Sequence, residues 1–475
     1  MKSIGEELAQ KLSRNPKRVW DSLDKDGKEQ IFSFADGYKK FLNQAKTERQ
    51  ALKEIKRELQ AHGFVSLMEI EKEGIPLSPG RRWYFINRNK ALVAGVMGRE
   101  PVEKGLRLIG AHLDTPRLDL KPNPLYESHG MAFFKTHYYG GIKKYQWTAL
   151  PLALHGVVIK EDGEKIEISL GEKEDEPVFT ITDLLPHLSK DQLERKLKEG
   201  IAGEELNVLV GSIPFAEDRE FKERVKLAVL QLLHRRYGLK EEDFISAELE
   251  LVPAGRARDV GFDRSLIGAY GHDDRVCVYT AVKAITQLEK PYHTAVVVLA
   301  DKEEVGSAGN TGMRSRFFEH VILDLLRLSG FSTDKIMAVL YRTKALSADV
   351  NAAEDPTWQE AFDKLNSARL GQGVVLTKYT GARGKYNTND AHAEFLGEIR
   401  RLFNQKGIVW QTGELGKVDQ GGGGTIAQFL ADYGMDVLDC GPPVLSMHSP
   451  MEIVSKADVY MTYKAYQVFW DSSTF

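Results

Sequence analysis

The chain has 475 residues, 42% of them hydrophobic and 28% charged, which supplies a large buried core and excludes a disordered composition. Its 65 basic and 68 acidic side chains leave a net charge of -3, so no global field draws it to nucleic acid or to an anionic membrane. Only Cys277 and Cys440 are present, which excludes a disulfide scaffold and a cysteine-built zinc knuckle and suits a reducing compartment.

Met1 to Trp20 mixes Lys2, Glu6, Glu7, Lys11, Arg14, Lys17 and Arg18 without an apolar run, so neither a signal peptide nor an anchor is expected there. Apolar stretches elsewhere fall short of the ~20 residues a bilayer requires, and cytoplasmic residence is the expectation. From Ser33 to Ala61 the residues Phe34, Tyr38, Phe41, Leu42, Ala45, Leu52, Ile55 and Leu59 recur at three- and four-residue spacing, predicting one amphipathic helix stopped by Gly63. Trp83 to Ile86, Ala91 to Met97 and Leu106 to Ala111 read as strands, the last delivering His112 at its C-terminal end, where open α/β sheets place their chemistry.

Between Pro116 and Ala254 the texture changes. Leu154 to Lys160 and Lys165 to Leu170 are short strands joined by the hairpin signal Glu161-Asp162-Gly163-Glu164, and charged helical stretches follow at Lys190 to Lys198 and Phe221 to Leu233. No candidate ligand motif falls inside this block although such motifs flank it. The expected organisation is therefore a discontinuous catalytic domain, 1–115 with 254–475, and a smaller domain inserted at 116–253.

Beyond the block come a helix from Val276 to Leu288, a buried strand Thr294 to Leu299 ending just before Asp301, a helix Phe317 to Leu328, and strands at Lys344 to Asp349 and Gly407 to Trp410. Gly421-Gly422-Gly423-Gly424 then opens a helix Thr425 to Tyr433, Met435 to Leu438 is a strand, and Lys456 to Trp470 a closing helix. The glycine run lacks the Lys-Ser or Lys-Thr of a phosphate loop and is read as a close backbone approach.

Five scattered fragments carry the chemistry: His112-Leu113-Asp114, His272-Asp273-Asp274, Asp301-Lys302-Glu303-Glu304, Ser347-Ala348-Asp349 and Met447-His448-Ser449. Each alone has an ordinary explanation, such as a loop hydrogen bond, a helix cap or a solvated acid pair. Together, most of them just past an apolar strand or before a helix, they read as one site for two divalent ions. His112 and His448 are terminal imidazole ligands, and Asp114 orients the ring of His112. Asp273 bridges, because one carboxylate offers two oxygens to two cations; Asp274 is the competing bridge. Glu304 and Asp349 are terminal carboxylates, and Glu303 is the general base that activates water and passes its proton to the departing amine. Such a site suits amide hydrolysis. His137, His155, His272 and His392 are read as hydrogen-bonded polar histidines outside it, and Lys378, Arg383 and Lys385 as solvated loop residues.

These motifs, with Gly110 to Pro116, Tyr139-Gly140-Gly141 and the stretch Asp439-Cys440-Gly441 to Ser449, resemble the aspartyl aminopeptidase (M18) family of metallo-aminopeptidases, and within it the bacterial branch. The resemblance implies an α/β fold: a mixed-sheet zinc-peptidase domain with helices on both faces and a smaller, mainly-β dimerisation domain inserted into it. It implies that His112, Asp273, Glu304, Asp349 and His448 bind two zinc-type ions, Co²⁺ or Mn²⁺ being possible substitutes, and that Glu303 is the acid/base. It further implies dimers assembling into a tetrahedral dodecamer whose inner chamber admits short peptides. One departure bears on specificity: where aspartyl aminopeptidases carry a histidine and an Asp-Arg-Asp run after Tyr-Gly-Gly, this chain has Lys144-Tyr145-Gln146-Trp147-Thr148-Ala149-Leu150-Pro151. A dinuclear deacylase acting on N-acyl amino acids and a non-catalytic metal-stabilised assembly are the competing readings.

Overall fold

In the computed structural model, which describes residues 3–473, four central strands run parallel: Thr294–Ala300, Leu106–His112, Lys344–Ser347 and Asp436–Gly441. The first three are buried at almost every position, as expected of strands covered on both faces. Antiparallel strands flank them and make the nine-stranded sheet mixed, with Ala91–Val96 and Arg82–Asn87 on one side and Val374–Thr377 on the other.

Helices cover both faces. Lys25–Gln44, Glu48–Ala61, Ala393–Gln405 and Lys456–Asp471 build one core with the sheet, centred on residues such as Tyr38, Phe403 and Trp470; Phe317–Leu328 and Ile336–Arg342 build the other around Phe318 and Leu325. The α/β architecture expected from the sequence is the one observed. No helix among the described residues is long and apolar enough to cross a membrane.

Where one helix was expected from Ser33 to Ala61 there are two, Lys25–Gln44 and Glu48–Ala61. Ala45 leaves helical geometry, and the Thr47 hydroxyl caps the second helix by accepting the Gln50 N–H, so the apolar spacing carries on through a change of direction. The glycine run is followed by only a short helix, Ala427–Ala431, and the strand predicted at Gly407 starts at Trp410 because Gly407 and Ile408 close the preceding helix.

A second sheet, entirely antiparallel, is made only of strands between Arg117 and Pro253, in the order Lys165–Leu170, Leu152–Ile159, Ala247–Pro253, Arg117–Ser128, Met131–Tyr139, Asn207–Gly211 and Thr180–Ile181. Its long central hairpin leaves the site directly after Asp114 and returns to it at Tyr139. A third sheet of five short strands, Arg258–Val260, Leu266–Ala269, Glu452–Ser455, Pro443–Leu445 and Asn351–Ala352, was not anticipated. It matters because the loops at its strand ends carry Asp273, His448 and Asp349.

Asp259 pins this third sheet to two helices, its carboxylate lying 2.6 Å from Lys39 Nζ, 2.8 Å from Lys456 Nζ and 2.7 Å from Arg264. Burial opposes its ionisation, but hydrogen bonds from Lys39, Lys456 and Arg264 hold the carboxyl well below the usual range. Asp259→Asn would strand the buried Lys456 ammonium and is expected to cost about 3 kcal/mol in urea unfolding at pH 7. Because the folded pKa is depressed, that stabilisation exists above the unfolded value near 3.8 and fades as the pH falls below it, so the wild-type advantage should shrink in acid.

Candidate active site

The sequence brings acids to the C-terminal ends of the central parallel strands, and the fold closes them against the third sheet. His112 is the last residue of its strand, Glu303 and Glu304 form a short turn after Thr294–Ala300, and Asp349 follows Lys344–Ser347 by two residues. Asp273 follows Leu266–Ala269 at the start of His272–Thr286, and the Asp273-Asp274 peptide is cis. His448 sits in the turn between Pro443–Leu445 and Glu452–Ser455.

Asp273 lies between the two histidines. Its Oδ1 is 3.2 Å from His112 Nε2 and its Oδ2 is 3.1 Å from His448 Nε2. His112 Nε2 also approaches Asp349 Oδ1 at 3.8 Å, and His448 Nε2 approaches Glu304 Oε2 at 3.3 Å. Donor atoms of His112, Asp273 and Glu304, of His112, Glu303 and Asp349, and of Asp273, Asp274 and Asp349 fall within 4.8 Å of one another in each group. All five residues expected as ligands, with Glu303, are therefore brought to one place. Asp274 is turned differently: its Oδ2 accepts the His112 main-chain N–H at 3.3 Å.

The far nitrogen of each ring is held. His448 Nδ1 donates to the carbonyl of Gly141 at 2.9 Å. His112 Nδ1 is 3.0 Å from the Asp114 carbonyl and 3.4 Å from its carboxylate. That differs from the expectation, in which the carboxylate does the orienting; the main-chain oxygen is nearer. The Asp114 carboxylate instead accepts the N–H groups of Glu303 and Glu304, each at 3.1 Å, and the Tyr139 hydroxyl at 2.8 Å. It thus fixes the turn that presents both glutamates.

So many buried acids beside two imidazoles cannot all be charged without compensation. Burial first, then the neighbouring Asp349, Asp114 and Asp273, push the Glu303 carboxyl up to about 8, and burial with Asp273 pushes Glu304 well above the usual range. Burial opposes a charge on His448, yet Asp273 and Glu304 raise it to about 11. Asp273 Oδ1, Asp274 Oδ1 and Glu304 Oε1 are buried with no hydrogen-bond partner. Orphaned carboxylate oxygens facing imidazole nitrogens at these distances fit divalent cations, and the oxygen and nitrogen donor set suits zinc.

A cavity of about 900 Å³ opens onto Glu303, Glu304 and His448, with Gly423 and Gly424 on its wall. The close backbone approach expected of the glycine run is made by its first two residues, where a Cβ on Gly421 would lie 1.9 Å from the Leu415 carbonyl oxygen and one on Gly422 2.0 Å from that of Gly381. His272 lies outside the cluster, buried between the Tyr38 hydroxyl (2.8 Å) and the Ile267 carbonyl (3.1 Å), and burial lowers it to about 4. His392 is a surface group beside Asp436 and Glu394, and Lys378 and Lys385 pair with Asp390. Sequence reasoning missed Glu452, whose carboxylate accepts the main-chain N–H groups of Asp273 and His448. It also missed the contacts of Tyr139 and Gly141, although Tyr-Gly-Gly had been a visible motif.

Comparison with known proteins gives the same direction. Residues 41–470 match the aminopeptidase I zinc metalloprotease (M18) family. A probable M18 family aminopeptidase 1 of Clostridium acetobutylicum is 48% identical over 459 residues, 96% of this chain and 98% of that one. The crystal structure of an M18 family aminopeptidase from Thermotoga maritima superimposes with a TM-score of 0.92 at 48% identity, covering 97% of this chain and all of that one. The mApe1 dodecamer of S. cerevisiae, 20% identical, shares the fold with a TM-score of 0.72 over 92% of this chain and 95% of its own.

Proposed function

The chain belongs to the M18 family of aminopeptidase I zinc metalloproteases and is a metal-dependent aminopeptidase, and from that premise we propose that it works with two ions per subunit and with Glu303 as general acid/base. The observation that carries this is the placement of Asp273, one oxygen toward His112 and the other toward His448. In this reading His112 and Asp349 hold one ion, His448 and Glu304 the other, and Asp273 both.

A bound pair of divalent ions supplies Lewis acidity to the scissile carbonyl and acidifies water. Glu303 is not needed to satisfy either histidine, and it lines the cavity from the turn that Asp114 fixes. Its carboxylate takes a proton from the attacking water and returns it to the nitrogen of the leaving amine. Asp114 and Tyr139 keep the turn still while Glu303 exchanges its proton. The bound ions would also anchor the free α-amino group of the peptide, which N-acylation blocks.

The experiment is a zinc titration of metal-free enzyme with a free-amine aminoacyl-anilide. Turnover should rise until two equivalents are bound, and an N-acetylated anilide should remain uncut. Saturation at one equivalent would contradict the paired site, and preferential cleavage of the acetylated substrate would favour the deacylase reading.

We further propose that 116–253 is an inserted dimerisation unit and that dimers assemble into a tetrahedral dodecamer in the cytoplasm, enclosing a chamber for short peptides. Large apolar side chains stand exposed there, among them Leu184, Leu188, Leu193, Ile213 and Ile245, as expected of a surface that meets another chain. Light scattering should give a particle of twelve 53.4 kDa chains; a stable monomer would contradict the proposal.

A further inference from the structure

Glu452 is fully buried at the first position of Glu452–Ser455, paired across the third sheet with Ala269. Its two oxygens have separate tasks. Oε2 accepts the N–H of Asp273 at 3.0 Å, and Oε1 accepts the N–H of His448 at 2.7 Å. These residues come from segments far apart in the chain, and their side chains meet at 3.1 Å. The turn carrying His448 is otherwise held by the Ser449 N–H on the Ser446 carbonyl, by the Ser449 hydroxyl on the Met451 carbonyl, and by the His448 ring on the Gly141 carbonyl. None of these contacts ties its main chain to that of Asp273.

A buried carboxylate is costly to desolvate, and one whose partners are two main-chain N–H groups is an expensive way to satisfy them. The same device recurs around the site: Asp114 accepts the N–H groups of Glu303 and Glu304, and Asp274 that of His112. We propose that Glu452 is a positioning residue that fixes the separation of Asp273 and His448 and thereby sets the affinity of the site for its metal ions. This rests on the assignment of Asp273 and His448 as metal ligands.

A glutamine has one accepting oxygen and a donating amide, so it cannot receive both N–H groups. Glu452→Gln would leave one of them facing another donor. The test measures zinc affinity of metal-free protein by competition with a chromogenic chelator, for wild type, Glu452→Gln and Asp273→Asn, together with the melting temperature of each metal-free form. Glu452→Gln is expected to bind zinc about 10- to 100-fold more weakly, the cost typical of losing an outer-sphere contact. Its kcat should return to near the wild-type value at high zinc. A merely structural role predicts a lower melting temperature with unchanged zinc affinity, and that result would overturn the proposal. Glu452→Asp keeps the charge but shortens the reach by one methylene; it gives the same two outcomes if the glutamine variant does not accumulate as folded protein. Should Asp273→Asn bind zinc as wild type does, the ligand assignment itself fails. Weak binding by Asp273→Asn with wild-type affinity in the Glu452 variants removes the role of Glu452 alone.

Discussion

Glu303→Gln is expected to lower kcat for an aminoacyl-anilide by about 10²- to 10⁴-fold, the usual worth of a positioned acid/base, while leaving the metal content unchanged. The separation of the two effects follows from geometry. The close contacts to the two imidazoles are made by Asp273, Glu304 and Asp349, and no Glu303 oxygen pairs with either ring, although Glu303 shares the cavity wall with Glu304 and His448. Glutamine keeps the shape and its side-chain carbonyl can still accept hydrogen bonds, but it cannot carry a proton from water to the leaving nitrogen. KM should change little, because the substitution acts on the transition state more than on binding. Near-normal turnover would remove Glu303 from the mechanism. Loss of metal together with activity would make it a ligand instead.

Asp273→Asn is expected to do the converse. Asparagine offers one oxygen where the carboxylate offers two, and it removes the negative charge between the two imidazoles. Zinc affinity should weaken by more than the about 10- to 100-fold that outer-sphere changes cost, and activity should fall with it. Thermal denaturation supplies an independent readout. Ligand present at a hundred times its dissociation constant stabilises a protein by about 2.7 kcal/mol, so zinc should raise the melting temperature of wild type and barely move that of the variant. An equal zinc-induced shift in both proteins would show that the ions bind elsewhere.

How much of this was visible in the sequence depends on the length and regularity of each element. Leu106–His112, interrupted by Arg107, and Thr294–Ala300 are mostly apolar runs, with His112 closing the first and Asp301 just past the second, and that pattern alone puts His112 and the acids after Ala300 at strand ends. The third sheet was invisible because its strands are two to four residues long, too short for any period. Glu452 went unnoticed for the same reason, since an acid four residues past His448 has no local signature of being buried. Arg117–Ser128 was missed through Lys121-Pro122-Asn123-Pro124, where the register with its partner shifts between Leu120 and Leu125 and the alternation is lost. The bend at Ala45 escaped because both helices face one core, which preserves the apolar spacing that normally marks a single helix.

The residues proposed as ligands stand in the sequence as separate fragments, but their mutual arrangement is tertiary. Nothing in the local sequence distinguishes Asp273 from Asp274. In the structure Asp273 faces both imidazoles, and Asp274 Oδ2 accepts the His112 main-chain N–H. Likewise the Asp114 carbonyl lies nearer His112 Nδ1 than the Asp114 carboxylate does, and that carboxylate is shared with the Tyr139 hydroxyl and the Glu303 and Glu304 N–H groups.

The central claim is that two cations share Asp273, and anomalous diffraction at the zinc edge from a zinc-loaded crystal tests it most directly. The account predicts two peaks on opposite sides of the Asp273 carboxylate, one beside His112 and Asp349, the other beside His448 and Glu304. A single peak, or a pair lying away from Asp273, would contradict it.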